Sequence, residues 1–228
     1  MKYGTISVTC PLCGNDFSSE VFAGASQNGA DLDGRPIGTI RKAMLDDYHE
    51  CPHCGHIFAH FDDEMLLREA KYKEIQKHVE SIEDSTARAW LYLWMETRGE
   101  RLFAECISME DYRVLCAKEI DRCSNFIWAC EDAGIDVKEY RKEKIALLFA
   151  ITELELVPED IYEDLLIMLK EEYRRTGQFN KALAVEIDTA NKNKQAIIKY
   201  EDYLSRKHDS KRHTIKDAHN FANKETSR

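Results

Sequence analysis

Apolar and polar positions follow two different rules along this chain, and the change falls near residue 60. Before it, apolar residues come in short runs. "TISVTC" at 5–10 sets Ile6 and Val8 on one face of a predicted strand, and "HIFAHF" at 56–61 is a second run expected to pair with it. Three of the four prolines and seven of the ten glycines lie before residue 56, so turns punctuate this whole region.

Beyond residue 60 the spacing is helical. Asp84 or Ser85 is placed to cap a helix carrying Trp90, Leu91, Trp94 and Met95, with Gly99 as its stop. A second apolar face runs through Val114, Leu115, Ala117, Ile120, Phe126, Ile127 and Ala129 to a stop at Gly134. Asp136 can cap a helix leading into "KIALLFAITELEL", and Pro158 suits the first turn of the next one. There Ile161, Leu165, Leu169 and Tyr173 recur every four residues, Leu166 widens the stripe, and Gly177 ends it. Phe179, Ala182, Leu183 and Ala190 mark a partner helix expected to continue through "QAIIKYEDYL".

These patterns predict a small, looped and weakly stranded β module over 1–60 and a mostly α domain over 61–205. The remainder, 206–228, has more Lys and Arg than Asp and Glu and few apolar side chains, which predicts a frayed, flexible basic tail. With 228 residues, 32% charged and 43% hydrophobic, the composition is that of a globular protein with a sizeable core. "IALLFAI" at 145–151 is the longest apolar run, far short of the roughly 20 residues of a spanning helix. "MKYGTISVTC" has no apolar stretch of secretory length, so a cytoplasmic location is expected, where eight cysteines serve as metal ligands or buried thiols.

The strongest chemical signal is a repeated pentapeptide, "CPLCG" at 10–14 and "CPHCG" at 51–55. Two intervening residues let both thiolates of a pair turn toward one ion, and the following glycine permits the backbone dihedral that closes the turn. Cys10, Cys13, Cys51 and Cys54 together make a closed tetrahedral four-thiolate site. Zn2+ is the default occupant, since it favours this geometry without redox cycling, and iron is the alternative, since rubredoxins use the same turns. The long stretch from Asn15 to Glu50 between the pairs weakens the rubredoxin reading.

Other groups carry less. His56 and His60 have a spacing compatible with a mixed Cys/His site, but four cysteines already complete one ion; His53 is expected to face solvent or a sulfur. Cys116, Cys123 and Cys130 fall seven apart, two helical turns, with Cys106 before them; they read as small core residues, as do Trp90 and Trp94. "DLDGR" at 31–35 lacks the downstream ligands of a calcium loop and reads as a local Asp–Arg pairing. The sequence has no phosphate-binding glycine loop, nucleophile elbow or His/Glu hydrolase motif, so no enzyme is expected. In residues 1–60, Lys2, Arg35, Arg41 and Lys42 face seven acidic side chains, and thiolates on zinc add further negative charge, which disfavours nucleic acid.

The twin "CPxCG" turns, the acidic and arginine-bearing loop between them, the helical remainder and "YRRTGQFNKAL" at 173–183 together resemble a bacterial domain-of-unknown-function family, number 2225. The resemblance implies a small zinc-ribbon or rubredoxin-like β module over 1–60, followed by a mostly α, tetratricopeptide-like helical domain over 61–205, and brings no established activity. In "YRRTGQFNKAL", Tyr173, Gly177, Phe179 and Ala182 fall where a tetratricopeptide-like hairpin has its turn and its small packing residue. Such helices usually present a groove to a protein or peptide, so the expected function is a non-enzymatic zinc protein acting through protein–protein contacts. A rubredoxin-like electron carrier and a transcription-associated zinc-ribbon protein are the alternatives.

Overall fold

Strand β1 (Lys2–Thr9) turns back on β2 (Asp16–Gly24), and β3 (Tyr48–Glu50) on β4 (Ile57–Ala59), giving two antiparallel hairpins in this computed structural model. The structure describes residues 2–59, 69–103, 108–153, 157 and 159–226. Val8 lies opposite Phe17 and Ile6 opposite Ser19, so the expected alternation in β1 is present but its partner is not the apolar run at 57–59. Each strand instead closes on its nearest neighbour in sequence, across residues 10–15 and 51–56, which costs the least loop entropy. The second strand of the first hairpin escaped sequence reading because its inner face, Phe17, Ser19 and Val21, is partly polar.

By packing, the chain forms two units, Met1–Ser26 with Gly38–Val137 and Gln27–Ile37 with Lys138–Arg228. The helical residues up to Val137 group with the N-terminal hairpins, and loop 27–37 groups with the C-terminal helices. The first unit holds both hairpins, helix α1 (Thr39–Leu45), α2 (Glu69–Val79), α3 (Ser85–Phe103) and α4 (Met109–Asp132). It also carries the whole of the chain's net charge of −10.

Helix α3 starts where Asp84 accepts a hydrogen bond from the Ala87 amide at 2.8 Å. It runs through Gly99, the expected stop: packing along α4 outweighs a glycine penalty of about 1 kcal/mol. Trp94 meets Phe126 at 5.6 Å and the Trp90 indole N–H donates to the Leu45 carbonyl at 2.9 Å, so both tryptophans are core residues. Cys116, Cys123 and Cys130 are buried in α4 as expected, whereas Val114 and Ala117 of the same expected face are exposed. Gly134 does stop α4: at φ 74° it lets the Ile135 amide reach the Cys130 carbonyl and its own amide reach that of Glu131. Cys106 and Pro158 lie outside the described residues.

The second unit contains α5 (Lys138–Thr152), α6 (Glu159–Arg175), α7 (Phe179–Ala184), α8 (Lys192–Arg206) and α9 (Ile215–Thr226). The expected stripe on α6 is only half right. Leu169 is buried, but Ile161 is 47% exposed, and Lys170, Glu171, Glu172 and Arg174 are no more than 1% exposed. The expected partner helix breaks after Ala184 and resumes at Lys192. Buried Lys170 takes the Ala182 and Val185 carbonyls at 2.8 and 3.2 Å, satisfying the end of α7 so that the chain can leave it extended.

Residues 215–226 are helical where the composition predicts a frayed tail. Thr214 and Asp217 exchange hydrogen bonds at the start of α9, and Ala218 packs with Leu204 of α8 and Leu32 of the loop. The "DLDGR" loop is held there too, with the Leu32 amide on the His213 carbonyl and the Ile215 amide on the Ala30 carbonyl, both at 2.9 Å. Its Asp33 accepts the Arg35 backbone N–H at 3.2 Å and also pairs with Arg141 at 3.3 Å and Arg175 at 3.7 Å, so partners far along the chain join the local contact. Among the described residues, no helix is long and apolar enough to cross a membrane.

Candidate metal centre

Each hairpin of the first unit turns through one of the repeated pentapeptides, and the two turns are built alike. The Cys10 amide bonds the Asn15 carbonyl and the Gly14 amide bonds the Cys10 carbonyl, both at 2.9 Å. The same two bonds recur from Cys51 to His56 and from Gly55 to Cys51, both at 2.8 Å. Gly14 and Gly55 have φ of 72° and 71°, the left-handed region that a side chain resists. Identical turn chemistry therefore yields two thiol pairs of the same shape.

The four predicted ligands converge. Cys10 Sγ lies 3.7 Å from Cys54 Sγ, Cys13 Sγ lies 3.7 Å from Cys51 Sγ, and all four sulfurs fall within 4.8 Å of one another. A disulfide needs about 2.0 Å, so these are separate thiols. Sulfurs at about 2.3 Å from a common tetrahedral centre would stand about 3.8 Å apart, which matches the observed short pairs. The donor set thus fits a tetrahedral thiolate metal ion, and all four positions are supplied by protein.

The surroundings supply what thiolates require. The Asn15 backbone N–H, helped by the Asn15 side-chain amide at 3.3 Å, draws exposed Cys13 down to about 6, outweighing a partial loss of solvation. Burial pushes Cys54 up to about 12 and raises Cys10, although backbone amides of His56 and of Cys13 and Leu12 oppose the rise. A cation among the sulfurs favours the thiolate form of all four, so binding releases protons. Asn15 and His56 hold equivalent positions, two residues beyond the second cysteine of each pair.

Behind the sulfurs lies a small apolar cluster of Cys10, Cys51 and Phe58, with Val8, Leu12 and Phe17 against it. Phe58 joins the hairpins: it meets Phe17 edge-on at 6.3 Å and stacks on His56 at 5.7 Å. His56 is 5% exposed, meets the Tyr92 hydroxyl through Nδ1 at 3.3 Å, and is pushed down to about 4 by burial. It is a neutral packing residue and stands outside the group of sulfurs. His53 is exposed, and His60 lies outside the described residues.

Sequence reading found the four cysteines and missed Asn15 and Phe58. The signal for Asn15 was its place directly after "CPLCG"; Phe58 had none, because one aromatic in a short run does not reveal which hairpins it joins. Compared with protein-family models, with curated proteins and with solved structures, the chain finds no match in any of the three.

Proposed function

We propose that this is a non-enzymatic cytoplasmic protein in which a structural zinc ribbon accompanies a helical, tetratricopeptide-like domain that binds a protein partner. The observation that carries the metal reading is the convergence of four sulfurs from two matched turns within 4.8 Å. Four protein thiolates leave no open position for water or substrate, so zinc there holds the hairpins together and does no chemistry. Between two hairpins with so small an apolar cluster, the ion supplies much of the folding free energy. Iron in the same cage would make a rubredoxin-like electron carrier, and a red, reducible protein would support that alternative.

The partner reading rests on helical architecture and on the resemblance to family 2225. Gly177 turns the chain at φ 78° and fully buried Ala182 allows α6 and α7 to approach, as a tetratricopeptide-like hairpin needs, although α7 is only six residues long. The acidic charge of the first unit argues against nucleic acid and against a transcription-associated role. Affinity purification of the tagged full-length chain from its native cells tests the reading. A stoichiometric protein partner supports it; stoichiometric nucleic acid, or no protein at all, contradicts it.

A further inference from the structure

The deepest layer of the second unit is charged, and its two halves are balanced differently. In one half Glu172 receives Arg141 Nη1 at 2.6 Å and Lys144 Nζ at 2.8 Å, and Arg141 also reaches Asp33. Anions and cations are matched there. In the other half one guanidinium serves two carboxylates: Arg174 Nε donates to Glu201 Oε2 at 2.8 Å and to Glu171 Oε2 at 2.9 Å.

All three side chains are essentially without solvent exposure. Two oxygens on one N–H lie within about 6 Å of each other, the range in which like charges in a dry site resist joint ionisation. Glu201 Oε1 is buried with no hydrogen-bond partner, a poor place for a second full negative charge. Arg174 has no donor to spare. Its Nη2 takes both Glu171 oxygens, and its Nη1 holds the Asp209 and Lys211 carbonyls at 2.6 and 2.8 Å.

We infer that Glu171, set beside Glu201 on one guanidinium, keeps its proton at neutral pH, and that its loss loosens the C-terminal turn at 209–214 that Arg174 holds. The proton passes to solvent base and leaves two carboxylates on one guanidinium, which is then drawn from the carbonyls toward the new charge. Among the described residues, no cation other than Arg174 hydrogen-bonds either carboxylate. On α6, Arg175 Nη1 stands 3.9 Å from Glu171 and 3.7 Å from Asp33, beyond hydrogen-bond reach of both, and Lys170 pairs with Asp202 of α8 at 2.7 Å. In the C-terminal turn, Arg212 faces Asp31 of the loop and His213 faces Asp209.

Glu171 is accordingly held well above the usual carboxyl range, first by burial and then by Glu201, with Arg174 opposing. Because the folded form binds this proton more tightly than the unfolded chain, the stabilisation is complete below the ordinary value of 4.5 and decays as pH rises toward the raised one. The turn should therefore loosen toward alkaline pH, the reverse of acid denaturation.

Amide exchange of residues 209–215 in the full-length chain, corrected for intrinsic rates and followed from about pH 6 to about pH 9, reads this directly; one linked proton gives up to a tenfold loss of protection per unit. Glu171→Gln, a neutral copy of the protonated acid, should keep the protection and remove its pH dependence. Constant wild-type protection over the range, or a pH dependence that persists in Glu171→Gln, would overturn the inference. Should that variant fail to fold, the infrared carbonyl band of a buried protonated carboxyl in the wild type at neutral pH decides: its presence supports the retained proton and its absence refutes it.

Discussion

Glu171 and Glu172 are neighbours in sequence, equally buried, and shifted in opposite directions. For Glu172, burial opposes ionisation, but Arg141 and Lys144 outweigh it and hold the carboxyl below its ordinary value. Its contribution to stability is thus complete above 4.5 and is lost as pH falls through the lowered value. Glu172→Gln leaves buried Lys144 without its anion and Arg141 with Asp33 alone, and should cost about 3–5 kcal/mol, measured by urea unfolding at neutral pH. A loss no larger than that of an exposed glutamate would show that the pair is solvated. None of this was legible from the sequence, where a run of Glu, Lys and Arg reads as a solvated helix face. Only three-dimensional packing reveals that the charges find each other.

At the scale of elements, what could be read was what local chemistry decides. Gly134 and Gly177 stop α4 and α6 through the same pair of backbone bonds, Ile135 to Cys130 with Gly134 to Glu131, and Gln178 to Tyr173 with Gly177 to Arg174. Gly99 has the same residue type without the stop, because α3 continues along α4 there. The break after α7 was hidden since its cause, Lys170, is contributed by α6. Helix α9 was legible and missed: "TIKD" at 214–217 is a reciprocal cap, and Ile215 and Ala218 follow at helical spacing. Thr214→Ala removes that cap and should cost about 1 kcal/mol, seen as faster amide exchange in the first turn of α9. Unchanged exchange there would mean that packing of Ala218 alone sets the start of the helix.

For the whole molecule, the cysteine turns were the most legible feature and the path of the chain the least. Repetition of "CPxCG" announces four ligands because each turn is encoded within five residues, whereas nothing local says that loop 27–37, which leaves the first unit after Ser26 and re-enters it at Gly38, belongs to the C-terminal helices. That loop is fixed by Arg141, His213 and Ile215, more than 100 residues away in sequence. The central claim is that Cys10, Cys13, Cys51 and Cys54 hold one structural zinc ion, and the most direct test is metal content per chain by elemental analysis. The full-length protein should carry about one zinc. Cys13→Ser and Cys51→Ser, one from each turn, should both lose it, while Cys123→Ala, in the core of α4, should retain it. Retention of full zinc in both turn variants, or a wild-type protein that binds none, would contradict the account.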